Sequence, residues 1–337
     1  MSFFHPLVLM ERRLPIIESQ KEAAVGCGIS PTMSPLEKRK SLRKRLPPWF
    51  RTSLPTGISQ QRYNDTKSKV VSHGLNTVCE EARCPNVHDC WGKGTATFMI
   101  AGDVCTRGCR FCAVGTVKSP PALNEEEPRE LAEAVSKMGL SYAVITVVNR
   151  DDLPDGGARH YGNCINEIAD RSPEVGIELL CSDLDGNLEA LDELLDGIPL
   201  RVFAHNVECV PRLDKLVRDR RASFKQSLSI LRSAKEARPD VMTKTSLMVG
   251  LGETDEEILS VLYDLHLHKV DIVTIGQYLS PGPKHLPVNR FVSPSQFDSY
   301  RIEGENKLGF LQVISSPLTR SSYHAGEVKK LMMSHPR

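Results

Sequence analysis

The chain has 337 residues, 40% apolar, 25% charged and only 6% aromatic, with 43 basic and 42 acidic residues for a net charge of +1. That composition suits one large soluble domain or two small ones and argues against broad, non-specific nucleic-acid binding. The most apolar stretch near the middle, Tyr142 to Val148, is far short of the ~20 residues a membrane-spanning helix needs.

Residues 1–46 hold nine Lys/Arg against four Glu and show no sustained period, ending in Lys38, Arg39, Lys40, Arg43, Lys44 and Arg45 before Pro47-Pro48. They read as a basic, flexible tail. No cationic segment precedes the apolar residues at the start, so a secretory signal is not expected, and Glu11, Glu18, Glu22 and Glu37 oppose an organelle transit peptide. A bacterial-type cytoplasmic location is the expectation, with mitochondrion or plastid as the alternative. Residues 47–96 form an N-terminal wrap, extended or irregular as far as Val78 because Pro, Gly, Ser and Asn recur in it.

Six of the ten cysteines fall within 34 residues, while Cys27, Cys164, Cys181 and Cys209 are scattered and read as ordinary thiols. Clustering without a secretory signal points to metal ligation in a reducing compartment. The first group is Cys79, Cys84 and Cys90, with four and five residues between them. The second, Cys105, Cys109 and Cys112, follows a candidate strand, Thr97 to Ala101, in a loop that can converge three thiols on one site. Structural zinc normally takes four protein ligands, whereas three sulfurs on one iron-sulfur cubane leave an iron open for chemistry. Spacing alone leaves the first group open between a second three-ligand site and part of a binuclear zinc knot, and His88 lies inside it.

Further along, candidate strands at Tyr142 to Val148, Gly176 to Cys181, Leu200 to Ala204, Val241 to Val249 and Asp271 to Ile275 alternate with amphipathic helical patterns. These are Pro128 to Met138, Ala158 to Asp170, Leu188 to Leu195, Val210 to Arg218, Phe224 to Ala237 and Glu256 to His268. The alternation predicts an α/β fold, a partial parallel β/α barrel of about six units over residues 97–290, with residues 291–337 as a C-terminal extension. A doubly wound open sheet is the alternative. Either fold places reactive groups at the carboxyl ends of the strands.

CxxxCxxC with Phe111 just before the last cysteine resembles the signature of the radical S-adenosylmethionine superfamily. CxxxxCxxxxxC followed closely by CxxxCxxC resembles the lipoyl synthases within it. The likeness runs from Leu46 to about Glu327 through segments such as Leu75–Asn86, Arg150–Ala158, Phe203–Glu208 and Arg320–Ala325. It implies two [4Fe-4S] clusters. One would sit on Cys105, Cys109 and Cys112, with S-adenosylmethionine on its open iron and Phe111 near the adenine. The auxiliary one would sit on Cys79, Cys84 and Cys90, with Ser322 as an unusual fourth ligand.

The implied activity is conversion of an octanoyl chain, carried on a lysine of a lipoyl carrier domain, into lipoyl by sulfur insertion at C6 and C8. Two S-adenosylmethionine molecules are consumed and the auxiliary cluster donates the sulfur. Thr146, Asn149, Arg150, Asp151 and Asp152 close the second strand, and Glu178, Asn206, Lys244 and Gln277 lie on strands or strand ends three to six. Thr146, Asn149, Glu178, Lys244 and Gln277 are the expected cofactor contacts among them, and Arg320 is expected to orient Ser322 or the substrate chain. The implied partners are octanoylated carrier domains (dehydrogenase-complex E2 subunits or the glycine cleavage H protein), a reductant such as flavodoxin or ferredoxin, and an iron-sulfur carrier that rebuilds the auxiliary cluster. Neither nucleic acid nor membrane is expected. Two competing readings stand beside this one. A biotin-synthase-like sulfur inserter would not require Cys79, Cys84, Cys90 or Ser322, and a zinc-stabilised binding module would use the basic arm.

Overall fold

The computed structural model describes residues 46–51, 56–72, 77, 79 and 84–327. The chain divides into two units, Met1–Leu46 and Pro47–Arg337, and the second carries the fold. The expected basic tail and Cys27 lie outside the described residues.

The region expected to be irregular contains a helix, α1 (Ile58–Ser72), followed by α2 (Val87–Gly92). Helix α1 is polar almost throughout and, among its described side chains, buries Tyr63, Thr66 and Val70, at spacings of three and four. So sparse an apolar stripe leaves little periodic signal in the sequence. Tyr63 holds α1 on α2, its ring 4.2 Å from His88 and 5.8 Å from Trp91 between centroids. His88 is thus engaged in aromatic packing.

Seven parallel strands form one sheet in the order β1 (Thr95–Ile100), β4 (Tyr142–Val147), β5 (Gly176–Leu180), β6 (Val202–Ala204), β7 (Met242–Val249), β8 (Ile272–Gln277) and β9 (Gln312–Ser316). A separate parallel pair, β2 (Val104–Cys105) and β3 (Gly115–Thr116), lies in the loop after β1. The crossovers are α3 (Glu127–Met138), α4 (Ala158–Arg171), α5 (Leu188–Leu195), α6 (Asp214–Val217), α7 (Phe224–Ala237) and α8 (Asp255–Leu267), with α9 (Pro294–Ile302) before β9. Among the described residues no ladder joins β1 to β9, so the barrel is open at that seam.

Most elements coincide with the sequence reading to within two residues. Val210 to Arg218 instead breaks into a 3-10 turn, Pro211–Leu213, and the single turn of α6. The sheet also has seven strands rather than six, because β9 comes from the C-terminal extension. Its five residues, Gln-Val-Ile-Ser-Ser, bury only Val313 fully and carry almost no apolar run. On α8 a capping box between Thr254 and Glu257 sets the helix start one residue ahead of the expected Glu256.

Alternate strand residues face opposite ways. Ala96, Phe98, Ile100, Ala143, Ile145, Ile177 and Leu179 pack in one cluster with Leu131 and Val135 of α3 and Ile165 and Ile168 of α4. The intervening residues face the lumen, which the C-terminal segment fills. Ala325 is fully buried beside Tyr142 and Val144. The segment also passes so close to β8 that a Cβ on Gly276 would lie 2.1 Å from the Thr319 carbonyl oxygen, which explains the glycine.

Candidate active site

Strand β1 ends at Ile100, and positive φ angles at Ala101 (67°) and Gly102 (102°) turn the chain into the second cysteine loop. Backbone amides aim at its sulfurs. Cys105 Sγ accepts from the N–H groups of Arg107 (3.4 Å) and Asn149 (3.3 Å), and Cys109 Sγ from that of Asp219 (3.3 Å). The loop is pinned at both shoulders, Thr106 N donating to Asn149 O (3.1 Å) and Arg110 N to Val217 O (2.9 Å).

Between the cysteines, Arg107 is the buried hub of the loop. Its guanidinium donates to Asp151 Oδ1 (2.7 Å), Asp183 Oδ2 (2.7 Å) and Asp185 Oδ1 (3.2 Å), so the ends of β4 and β5 hold the loop in place. Burial opposes the charge on Arg107, but the hydrogen bonds to Asp151 and Asp183 outweigh it and raise its pKa. Asp151 is likewise held low: burial works against its charge and the hydrogen bonds from Arg107 and Thr106 prevail.

Burial pushes the Cys109 thiol up to about 11, and raises Cys112 against an opposing amide from Val114. Cys90 is pushed up to about 12 by burial and then by the neighbouring Cys84 and Cys79. Such thiols stay protonated at neutral pH until a cation displaces the proton. Among the described residues, neither triplet brings its three sulfurs within 4.8 Å of one another. Tetrahedral zinc with Zn–S bonds of about 2.3 Å needs sulfurs about 3.8 Å apart. Three thiols in a group fall one short of the four protein ligands of a structural zinc site, and a cubane with one open iron takes such a donor set.

A cavity of about 260 Å³ opens on the second triplet, walled by Cys105, Cys109, Cys112 and Phe111, by Thr146 to Asn149 at the end of β4, by Leu180 to Asp183 after β5, and by His205, Asn206 and Glu208 after β6. A second cavity of about 230 Å³ adjoins it, sharing Phe111, Asn206 and Glu208 and continuing past Ser246, Met248, Gly276 to Leu279 and Thr319 to Ser321. Glu208 has a left-handed backbone (φ 66°), a strained setting for a non-glycine residue, and accepts from Asn206 Nδ2 at 3.2 Å. His205 anchors this wall. Its Nδ1 lies 2.9 Å from Cys181 O and its Nε2 2.9 Å from Ser227 Oγ, and burial lowers its pKa to about 4, so the ring is neutral.

The first triplet lies where α2 meets β1 and the C-terminal segment. Cys84 N donates to Cys79 O (3.0 Å), Cys90 N to Asn86 O (3.0 Å), and Asn86 Nδ2 to Leu318 O (2.7 Å). Cys79 is buried against Thr97 and Trp91, and Thr97 Oγ1 in turn donates to Ser322 Oγ at 3.1 Å. Ser322 therefore reaches the triplet through Thr97. Arg320 is enclosed beside Cys84; burial lowers its pKa, with the Cys84 charge opposing.

Three expected cofactor contacts are otherwise engaged. Glu178 and Lys244 sit low in the lumen, almost fully buried, and pair with each other at 2.8 Å; neither lines either cavity. Gln277 borders the second cavity, but its Nε2 donates to Val249 O (3.1 Å) and Arg290 O (2.9 Å) and its Oε1 accepts from Val292 N (2.8 Å). Its amide fastens strands to loops. Asp152 is occupied by Arg150 at 2.8 Å. Sequence reasoning missed the roles of Arg107, Asp183, Thr97 and Glu208, although Asp183 stands at a strand end and Arg107 lies between two ligand candidates.

Residues 99–265 match the Radical SAM superfamily. Solved structures agree on the fold: the FeFe-hydrogenase maturase HydG from Carboxydothermus hydrogenoformans superposes with a TM-score of 0.54 at 16% identity, covering 82% of this chain and 68% of that one. The fold and the three-cysteine loop after β1 thus define a radical S-adenosylmethionine enzyme. Residues 31–84 match the N-terminal domain of lipoyl synthase of the Radical SAM family. A lipoyl synthase from Marinobacter nauticus is 49% identical over 306 residues, covering 91% of this chain and 86% of that protein. The mitochondrial lipoyl synthase of Bos taurus is 48% identical (87% and 78% covered), and the chloroplastic one of Arabidopsis thaliana 46% identical (95% and 80% covered). The chain belongs to the lipoyl synthases, sulfur-inserting enzymes of the radical S-adenosylmethionine class.

Proposed function

We propose that two [4Fe-4S] clusters face one cleft in this chain and act on an octanoyl group held on a lysine of a lipoyl carrier domain, inserting sulfur at C6 and C8. Cys105, Cys109 and Cys112 hold the first, and Cys79, Cys84, Cys90 and Ser322 the second. When bound, the first cluster with S-adenosylmethionine supplies the hydrogen-abstracting radical, two cofactor molecules per product, and the second supplies the sulfur.

The observation that carries this reading is the shared wall of the two cavities. One is lined by Cys105, Cys109 and Cys112, the other by Arg320 and Ser321 next to Ser322, and Phe111, Asn206 and Glu208 belong to both. Phe111, Thr146 and Asn149 flank the cofactor, with the polar Asn206 and Glu208 opposite in place of Glu178, Lys244 and Gln277. Met99, Val147, Met248 and Leu279 line the cleft and keep water from the reacting carbons. The Arg320 cation favours thiolate at Cys84, and Thr97 orients the Ser322 hydroxyl. A single oxygen is a harder and more easily replaced ligand to iron than a fourth thiolate, as suits a cluster that is consumed.

The carrier lysine belongs to E2 subunits or the H protein, a flavodoxin or ferredoxin supplies electrons, and an iron-sulfur carrier restores the auxiliary cluster. A reducing compartment, bacterial cytosol or organelle, suits this chemistry; among the described residues no helix is long and apolar enough to cross a membrane. Anaerobic incubation of the reconstituted chain with reductant, S-adenosylmethionine and an octanoylated carrier peptide tests the reading. The expected result is a mass gain of two sulfurs with about eight irons per chain; zinc without labile sulfide refutes it.

A further inference from the structure

We infer that the solvent face just outside the second cysteine loop docks an acidic one-electron carrier protein. This rests on Cys105, Cys109 and Cys112 holding the cluster that must be reduced. Their sulfurs line the inner cavity, whereas Gly108, Arg110 and Ala113 of the same loop are exposed. Two other segments fasten to that outer side. Arg110 N donates to Val217 O at 2.9 Å and Asp219 N to Cys109 Sγ at 3.3 Å. From the other flank Leu286 N donates to Arg110 O (3.3 Å), and His285 Nε2 lies 3.0 Å from Cys112 O.

These segments expose Arg110, Lys215, Arg220 and Lys284, none with a carboxylate partner among the described residues. Residues 104–123 and 279–297 contain no Asp or Glu at all. The only acids in 209–225 are Asp214, paired with Arg218, and Asp219, paired with Arg221. A chain of net charge +1 therefore concentrates unpaired cations where an electron has its shortest way in. Leu216, 42% exposed, adds an apolar contact beside Lys215 and Arg110, whose Nη1 donates to the Leu216 carbonyl oxygen at 3.5 Å. Arg220 is one residue and one hydrogen bond from Cys109 Sγ. An approaching carrier of opposite charge is steered to this face and oriented on it. One electron leaves the reduced carrier and arrives on the cluster, and no bond or proton changes hands.

The test titrates the full, cluster-loaded chain anaerobically with labelled flavodoxin, an acidic carrier, at low and high ionic strength. The double variant Lys215→Glu/Arg220→Glu is compared with the parent. The expected result is a Kd weakened about tenfold at low salt, with the gap closing as salt screens the charges. Dithionite-driven 5′-deoxyadenosine formation stays within about twofold of the parent, which verifies an intact site. Unchanged flavodoxin affinity overturns the inference, as does lost affinity for an octanoylated carrier domain with flavodoxin binding intact. Failure of the functional reading shows separately, as absence of sulfur insertion by the parent with dithionite.

Discussion

Replacing Arg107 with methionine removes the hub that ties the cysteine loop to β4 and β5 while keeping most of the side-chain volume. It leaves Asp183, 2% exposed at its side chain, without its cation, and Asp151, 11% exposed, with Arg221 at 3.1 Å as its remaining one. Breaking a buried pair by deleting one partner costs about 3–5 kcal/mol, because the remaining charge stays desolvated. At about 2–4 °C per kcal/mol for a domain of this size, the melting temperature falls by roughly 10 °C. The deficit depends on pH. Asp151 in the parent is held below its unfolded value, so it contributes stability above about pH 4 and loses it as the pH falls through its folded value. Without Arg107 much of that contribution is lost, Thr106 and Arg221 keeping the remainder, so the gap between variant and parent is widest at neutral pH and narrows in acid. Urea unfolding at pH 7 and at about pH 3 measures it, and Arg107→Met/Asp183→Asn recovers part of the loss. A single variant within about 1 kcal/mol of the parent at pH 7 refutes the assignment of Arg107 as the loop's anchor.

Lys244→Met destabilises the chain by a similar 3–5 kcal/mol by stranding Glu178, and Lys244→Met/Glu178→Leu restores most of it. Equilibrium binding shows S-adenosylmethionine affinity unchanged in the double variant if the pair is purely internal. His205, lowered to about 4 by burial, binds a proton more readily unfolded than folded, so stability falls as the pH drops from about 6.5 towards 4. Over that window the loss is about 3 kcal/mol, and His205→Asn flattens the slope in urea titrations. Gly276→Ala forces the Thr319 carbonyl away from β8, shifting the segment that carries Ser322. Iron and sulfide analysis then finds occupancy falling from about eight irons per chain towards four.

The strand-helix alternation was legible because the apolar runs of β4, β7 and β8 and the amphipathic faces of α3, α4 and α7 carry strong periods. Helix α1 and strand β9 were not, since each buries too few side chains. The cysteine groups were legible from spacing, and their two-cluster reading from the resemblance. Ser322 was visible only through that resemblance, since Ser321-Ser322 alone reads as an ordinary loop. Position along a strand proved the weak point. Glu178 and Lys244 lie on the expected strands, but low in the lumen, where opposite charges satisfy each other. The Arg107 network joins residues 44, 76 and 78 positions apart, a pairing that only the parallel sheet brings together.

The central claim is that two cysteine triplets do different work at one cleft. Its most direct test is mass spectrometry of an octanoylated carrier peptide after anaerobic turnover by Cys79→Ala/Cys84→Ala/Cys90→Ala, with 5′-deoxyadenosine measured in parallel. The account predicts that the triple variant still cleaves S-adenosylmethionine and adds no sulfur to the peptide. A peptide that gains two sulfurs from this variant contradicts it.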